Sequence, residues 1–195
     1  MTDTERTLIA QANVTMDGMT AGPDGDLSWL IEHASSAQMS AYAEGIWRGA
    51  STALMGRTNY EGFAGYWPPV AANPETPPRE RDLAIWLDTV EKVVFSRTLE
   101  QATWQNSRVA RDVEAETRAL KAAPGRDILV LNSASIIQAL LRADLVDELR
   151  LNVLPAAVGG GLRLLAEGLP RTDWQLVGAL TLETGAVGLH YRRAR

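Results

Sequence analysis

Residues 127–154, DILVLNSASIIQALLRADLVDELRLNVL, contain three segments that differ in the spacing of their apolar side chains. Residues 127–131 are a short apolar run typical of a buried strand. Residues 135–142 have the pattern of a helix, and residues 148–154 alternate polar with apolar side chains, as a strand with one buried face does. The order strand, helix, strand indicates an α/β sheet.

The rest of the chain continues this alternation. Further strands are predicted at residues 8–16, 52–55, 92–95, 107–110, 174–182 and 186–193. Further helices are predicted at residues 35–48, 58–63, 80–88 and 113–122. The turn Glu183-Thr184-Gly185 separates the last two strands, which predicts an antiparallel hairpin. We therefore expect one α/β domain over residues 1–195, with a mixed sheet, helices on both of its faces and a C-terminal β-hairpin.

Four features predict loops or helix ends. Residues 17–26 are dense in glycine, proline and aspartate and indicate a loop. Residues 66–79 carry five prolines and predict an irregular surface excursion, because proline lacks the backbone donor. Gly125 stands where glycine often ends a helix. The glycines at 159–161 predict a loop with close backbone packing, with ligand contact as the alternative.

The composition excludes several classes of function. With 19 Lys+Arg against 24 Asp+Glu the net charge is −5, which argues against general nucleic-acid or membrane-surface binding. There is no cysteine and there are only two histidines, so no metal site is expected. No signal-peptide pattern is present, and no apolar run reaches the roughly 20 residues of a membrane span. We expect a cytoplasmic protein.

Three segments share an order suited to phosphate: an apolar strand, a turn of small or hydroxyl residues, then a helix start or a basic side chain. In LMGRT (54–58), Gly56 allows close approach, Arg57 offers a donor fork and Thr58 caps a helix or binds phosphate oxygen. The alternative is an ordinary strand–turn–helix with a threonine cap. In VVFSRT (93–98), Ser96 and Arg97 could hold an adenosine 2′-phosphate, or Arg97 could be a solvated surface arginine.

The third such segment is LVLNSASI (129–136). Its turn could cradle a pyrophosphate or simply cap the helix that follows. The residues concerned are Asn132, Ser133, Ala134, Ser135 and Ile136. The spaced glycines of the Rossmann fingerprint are absent, so that fold is not supported.

Single residues near the loops are further candidates. Asp17 directly follows the first strand, so it is either a turn former or the carboxyl group best placed for a cleft. Trp29 and Trp67 flank loop regions, where each either packs or forms a platform for substrate. Glu61 lies one helical turn after Arg57, which predicts a surface ion pair.

Five strings in the same order extend over nearly the whole chain. They are VTMDGMTAGPDGDLSWL (14–30), ALMGRTNYEGF (53–63), KVVFSRTLEQATW (92–104), GRDILVLNSASIIQALLRADLVDELRLNVLPAAVGGGLRLL (125–165) and GLHYRR (188–193). Together they resemble the dihydrofolate-reductase-like superfamily. Within it, they are most similar to the C-terminal reductase domain of the bifunctional riboflavin-biosynthesis deaminase–reductase and to its stand-alone bacterial relatives.

This resemblance implies a mainly parallel mixed sheet of about eight strands, with NADPH bound across the strand ends. It implies cofactor contact at Gly56, Arg57, Thr58, Ser96, Arg97 and residues 132–136, and a catalytic, substrate-contacting Asp17 near the nicotinamide. The expected reaction is hydride transfer to a carbonyl or imine carbon of a small heterocycle-like substrate. In such proteins the later strands often pair two subunits, so a homodimer is expected.

The sequence departs from the family at one turn. Relatives usually have a glycine-bearing turn where this chain has Asn132-Ser133-Ala134, although asparagine tolerates positive φ. The alternative function is therefore a non-catalytic dinucleotide-binding or dimeric scaffold protein of the same fold. Among enzymes, the riboflavin-pathway reduction of a ribosylamino-pyrimidine phosphate is one candidate and a reductase of another substrate the other. Dihydrofolate reduction is disfavoured, because residues 35–48 offer only Glu44 as a carboxylate.

Overall fold

The computed structural model describes residues 5–34 and 36–195. The strands are β1 Leu8–Thr15, β2 Met19–Ala21, β3 Ala50–Gly56, β4 Glu91–Phe95, β5 Ser107–Ala110, β6 Asp127–Leu131, β7 Glu148–Leu154, β8 Leu162–Arg163, β9 Trp174–Thr181 and β10 Val187–Arg193. The helices are α1 Ser28–Ala34, α2 Ala37–Trp47, α3 Arg57–Ala72, α4 Pro78–Thr89, α5 Val113–Ala122 and α6 Ala134–Arg142. In the described part of the chain, no helix is long and apolar enough to span a bilayer.

Eight of the strands form one sheet in the order β5-β4-β3-β6-β1-β7-β10-β9. The neighbours from β5 to β7 pair in parallel, and β10 is antiparallel to both β7 and β9. A separate antiparallel pair joins β2 to β8. The predicted fold class, a mainly parallel mixed sheet with a C-terminal hairpin, is confirmed.

Helices cover both faces of the sheet because its central strands are apolar on both sides. In β6, Ile128 and Val130 belong to one buried cluster, which includes Ile137 and Leu140 of α6. Leu129 and Leu131, which alternate with them, belong to a second buried cluster. That second cluster includes Trp47 of α2, Tyr60 of α3 and Leu87 of α4. Since successive strand residues face opposite sides, this pattern places a core on each face.

The prediction of an irregular excursion at residues 66–79 is wrong for residues 66–72, which are helical. Helix α3 continues through Pro68 and Pro69, and the backbone N–H of Asn73 still donates to the carbonyl of Pro69 at 3.1 Å. The helix continues although Pro68 and Pro69 have no backbone N–H to donate, because Phe63 and Trp67 pack against the buried cluster beneath it. The loop is thereby shortened to residues 73–77, and α4 begins at Pro78, where the missing donor costs nothing.

The predicted role of Gly125 as a helix C-cap is also wrong. Helix α5 ends at Ala122, and Gly125 does not have a positive φ. A Cβ atom at Gly125 would lie 2.8 Å from Cζ of Arg6. The glycine is needed because the buried Arg6 guanidinium crosses it and donates to the carbonyl of Arg126 at 2.6 Å and to Oγ1 of Thr52 at 2.7 Å.

Four short elements were missed by the sequence prediction. The predicted loop at 17–26 contains strand β2 and a 3-10 helix at Pro23–Gly25, and α1 and β8 have no counterpart in the prediction. These elements are only two to seven residues long, which is too short for a recognisable period. The helix predicted at 35–48 is α2, although its first predicted residue, Ser35, lies outside the described residues.

Candidate functional site

The carboxyl ends of four neighbouring strands bring the predicted ligand-binding turns to one edge of the sheet. The strands lie in the order β4-β3-β6-β1 and run parallel. The residues at or after their ends are Ser96 for β4, Gly56 for β3, Asn132 for β6 and Asp17 for β1. Ligands of open α/β sheets collect at this edge.

A cleft of about 820 Å³ opens beside the ends of β3 and β6. Its lining includes Gly56, Arg57 and Thr58 from one turn and Asn132, Ser133, Ala134 and Ser135 from the other. The rest of the lining includes β2 and the loop after it, with several residues between 20 and 27, and the start of β8, with Gly161 and Leu162. Two of the three predicted phosphate-binding segments therefore meet in one cleft.

Helices α3 and α6 both begin in this cleft without a side-chain cap and without an acidic residue in the first turn. Helices α2 and α5, by contrast, are capped by the side chains of Ser36 and Asp112. The first N–H groups of a helix carry partial positive charge and need acceptors. Two uncapped N-termini in the same cleft are chemically suited to phosphate groups.

Ser133 stands at the N-cap position of α6, yet its side chain is used elsewhere. Its Oγ donates to the carbonyl of Leu131 at 3.1 Å and accepts from the backbone N–H of Gly56 at 3.1 Å. The side-chain amide of Asn59 donates to the same Leu131 carbonyl at 2.6 Å. These bonds fix the two turns against each other and leave the start of α6 open to a ligand.

The asparagine that departs from the family pattern keeps the turn. Asn132 has φ 47°, in the left-handed region that favours glycine. Its Oδ1 accepts from the backbone N–H of Asn13 at 2.8 Å, which offsets part of the conformational cost. The left-handed backbone at residue 132 is thus held without a glycine.

Three further residues predicted to contact the cofactor lie outside the lining of this cleft. The side chain of Ile136 is buried in the core cluster that includes α6. Oγ of Ser96 accepts from the backbone N–H groups of Thr98 and Leu99 at 3.2 and 2.9 Å. The next residue, Arg97, is exposed and forms no ion pair with any residue in the ranges 5–34 and 36–195.

Asp17 does not line the cleft. Its carboxylate accepts from Oγ1 of Thr15 at 2.5 Å and from the backbone N–H groups of Gly159 and Val158 at 2.7 and 3.2 Å. The bond from Thr15, followed by the bond from Gly159, lowers the pKa of Asp17, so the group is ionised at neutral pH. This geometry corresponds to the turn-forming alternative, in which Asp17 holds the glycine-rich loop.

The two tryptophans named as substrate-platform candidates differ in position. Trp67 lines the cleft and lies edge-on to Phe63 and Tyr66, with ring centroids 6.1 and 5.0 Å apart. Trp29 packs against a small buried cluster that includes Leu154, and its ring N–H donates to the carbonyl of Asp26. The structure brings Trp67 to the site and leaves Trp29 in a packing role.

A second pocket, of about 270 Å³, adjoins the cleft, and Phe63, Trp67 and Asn132 line both. Its polar lining includes Gln11, Asn13 and Asn152, none of which the sequence prediction singled out. A signal was available, because each is an amide side chain between two apolar neighbours in a predicted strand. Their convergence depends on the pairing of β1 with β7, which no local pattern reveals.

The sheet order and the cleft at the strand ends define a dihydrofolate-reductase-like protein. Within that class, the chain belongs to the RibD C-terminal domain family, whose model matches residues 6–187. It is 29% identical over 187 residues to the uncharacterized protein YyaP of Bacillus subtilis, and this match covers 96% of the chain and 95% of YyaP. The resemblance read from the sequence is thereby confirmed.

Solved structures show the same fold at low sequence identity. One is the deaminase/5-amino-6-(5-phosphoribosylamino)uracil reductase of Thermotoga maritima, with 15% identity and a TM-score of 0.66, where the match covers 97% of this chain and 57% of that one. Another is a dihydrofolate reductase of Enterococcus faecalis complexed with NADP(H), with 15% identity and a TM-score of 0.61, covering 98% of each chain. Both of these reductases therefore share the fold of this chain.

Proposed function

We propose that this protein is an NADPH-dependent reductase that transfers a hydride to a carbonyl or imine carbon of a small heterocycle-like substrate. The observation that carries the proposal is the contact between two sites of different chemistry. A cleft with two uncapped helix N-termini adjoins a mainly apolar pocket, and the two share Phe63, Trp67 and Asn132. A dinucleotide and a small ring compound would meet there.

The cleft is compatible with the dinucleotide. A Cβ atom at Gly56 would come within 3.6 Å of Ile136 and 3.8 Å of Ser135, so the absence of a side chain keeps this turn open. The N-termini of α3 and α6, with the hydroxyls of Thr58 and Ser135, would hold the pyrophosphate. When bound, the reduced nicotinamide supplies the hydride. The Enterococcus faecalis reductase of the same fold, solved with NADP(H), supports this assignment.

The chain's own residues would orient the reactants and exclude water. Trp67 and Phe63 form an aromatic wall common to both sites. Asn132 holds β6 against β1 through Asn13 at the junction of the two sites. For Asp17 we propose a positioning role, since its ionised carboxylate anchors the loop at residues 158–159 that leads to the cleft. Precise placement of the reacting atoms accounts for much of the rate in such reactions.

Titration of NADPH into the protein, followed by nicotinamide fluorescence, tests the proposal directly. Saturable binding, then NADPH oxidation in the presence of a metabolite pool, is the expected result. Binding without oxidation by any pool would indicate the non-catalytic dinucleotide-binding alternative. Absence of binding would leave only the scaffold alternative.

Arg97 is proposed to hold the 2′-phosphate that distinguishes NADPH from NADH. Replacing Arg97 with alanine is expected to raise the Kd for NADPH about tenfold or more and to leave the Kd for NADH nearly unchanged, because a charge-assisted contact is lost only with NADPH. Arg57 is the matched control, since it lines the cleft beside the turn and lies 3.6 Å from Glu61. Arg57→Ala should weaken both cofactors alike. Equal losses for both cofactors in Arg97→Ala would remove Arg97 from the 2′-phosphate.

A homodimer is proposed to form through strand β9. This strand is at the edge of the sheet, and its residues Leu176 and Leu180 are 52% and 49% exposed. Exposed apolar edge strands usually pair or are protected. The double variant Leu176→Asp, Leu180→Asp should sediment as a monomer, whereas Ile85→Asp, at an equally exposed position of α4, should remain dimeric. A monomeric wild type at micromolar concentration would contradict the proposal.

A further inference from the structure

The smaller pocket has an apolar lining with a few polar groups. Its volume, about 270 Å³, is at the lower end of the range for ligand sites, so it suits one or two rings and not a nucleotide. Aromatic and aliphatic side chains supply most of the lining, among them Met39, Trp47, Phe63, Trp67, Leu87 and Leu131. Such a pocket favours a flat, apolar ring held by a small number of directed hydrogen bonds.

Strands β1 and β7 contribute three carboxamides to the lining of the pocket, and the middle one contacts the other two. Gln11 and Asn13 are two residues apart in β1, and Asn152 of β7 pairs with Asn13. Oδ1 of Asn13 accepts from Nδ2 of Asn152 at 2.7 Å and from Nε2 of Gln11 at 3.5 Å. This arrangement turns the Oδ1 atom of Asn152 away from its neighbour.

Oδ1 of Asn152 is buried and has no hydrogen-bond partner in the described structure, while Asn152 as a whole is 1% exposed. A buried acceptor without a donor is costly, and nearly all such atoms in native proteins are paired. Because Asn152 lines the pocket, a ligand there can supply the missing donor. The orphan acceptor thus indicates a ligand that presents an N–H group at this point.

The charges around the pocket indicate that this ligand is neutral. Arg79 is the one basic residue among the described lining, and its Nε already lies 3.2 Å from the carboxylate of Glu44. Glu44 also accepts from Arg48 at 2.6 Å. No carboxylate is found among the described side chains of the lining. Because Arg79 is already paired with Glu44, it would compensate only part of the desolvation of a phosphate or carboxylate in this mainly apolar space.

We propose that the substrate is an uncharged heterocycle of one or two rings that carries no phosphate and donates a ring N–H to Oδ1 of Asn152. This inference rests on the proposed function and narrows it. Asn152 is then the residue that selects among substrates. The proposed substrate differs from the one named for the Thermotoga maritima reductase, which is phosphorylated.

Binding of three matched probes to the NADPH-saturated protein, measured by calorimetry, tests the assignment without a mutation. The probes are 2-quinolone, its N-methyl derivative and its 4-carboxylate. We expect 2-quinolone to bind about 10- to 100-fold more tightly than the N-methyl compound, because methylation leaves the acceptor unpaired. The carboxylate should bind at least tenfold more weakly than 2-quinolone. Tighter binding of the carboxylate, or no binding of 2-quinolone, would overturn the proposal.

The variant Asn152→Leu tests whether Oδ1 of Asn152 is the atom that discriminates between 2-quinolone and its N-methyl derivative. It should reduce the affinity ratio between 2-quinolone and the N-methyl compound to about one. An unchanged ratio would overturn the role of Asn152. The NADPH titration keeps the two proposals separate. If the wild-type protein did not bind NADPH, the reductase assignment would be contradicted. If it bound NADPH but did not discriminate among the probes, only the present inference would be contradicted.

Discussion

Replacing Gly161 with alanine is expected to lower the free energy of unfolding by about 3 kcal/mol or more and to weaken NADPH binding. A Cβ atom at this position would lie 2.2 Å from the carbonyl oxygen of Ala21 and 2.5 Å from the carbonyl carbon of Gly22. Both are backbone atoms, so no side chain can rotate away. The φ of 119° adds strain for any residue with a side chain.

The affinity for NADPH should fall because the clash lies in the lining of the cleft. Ala21 pairs with Leu162, and Oγ1 of Thr20 donates to the carbonyl of Leu162 at 3.0 Å. Separating β8 from β2 would therefore displace part of that lining. Urea denaturation and NADPH titration measure the two effects. Gly160→Ala is the matched control, because its Cβ would meet nothing within 4 Å and its φ is not positive. Equal stability of the two variants would contradict the argument.

The sequence predicted the regular part of the fold because each central element carries its own period. Strands β5, β6 and β7 and helix α5 have the predicted bounds, since apolar runs and clear turn residues define both of their ends. The continuation of α3 through Pro68 was missed because its cause is tertiary. Packing of Trp67 against a distant cluster outweighs the local preference of proline to end a helix.

The sequence predicted the parts of the candidate site that lie at strand ends. It did not predict the parts that depend on how neighbouring strands are aligned. Gly56 ends one apolar strand and Asn132 follows another, and parallel pairing brings such turns together. Asn13 and Asn152 are 139 residues apart, and only the alignment of β1 with β7 places their amides in contact. The position of Asp17 after β1 was predicted, but its partners in the loop at 158–159 required the tertiary structure.

An acidic chain can bind a polyanion if the positive potential is local. With a net charge of −5, long-range attraction cannot be the source of affinity for a dinucleotide. The open N-termini of α3 and α6 instead supply fixed dipoles at short range, where screening by salt is weak. The affinity for NADPH should therefore be most sensitive to charges introduced in the first turns of these two helices.

Replacing Ser135 with aspartate tests this dependence and is expected to have the largest effect on binding. Ser135 is exposed in the first turn of α6 and lines the cleft. A carboxylate there would compete with the pyrophosphate for the same N–H groups and repel it, raising the Kd for NADPH about 100-fold. The same carboxylate at a helix N-terminus should raise the free energy of unfolding by about 0.3–1 kcal/mol. Binding and stability are thus expected to change in opposite directions.

Ser135→Asn is the matched control, because it has nearly the shape of aspartate without its charge. NADPH fluorescence titrations of both variants, with thermal denaturation of the unliganded proteins, give the two quantities. The difference in NADPH affinity between Ser135→Asp and Ser135→Asn should become smaller as the salt concentration rises, since salt screens the repulsion between partly exposed charges. Equal NADPH affinities for the two variants at low salt would show that no phosphate lies at the start of α6. The cofactor would then have to bind elsewhere on the sheet edge, and the reductase assignment would lose its structural basis.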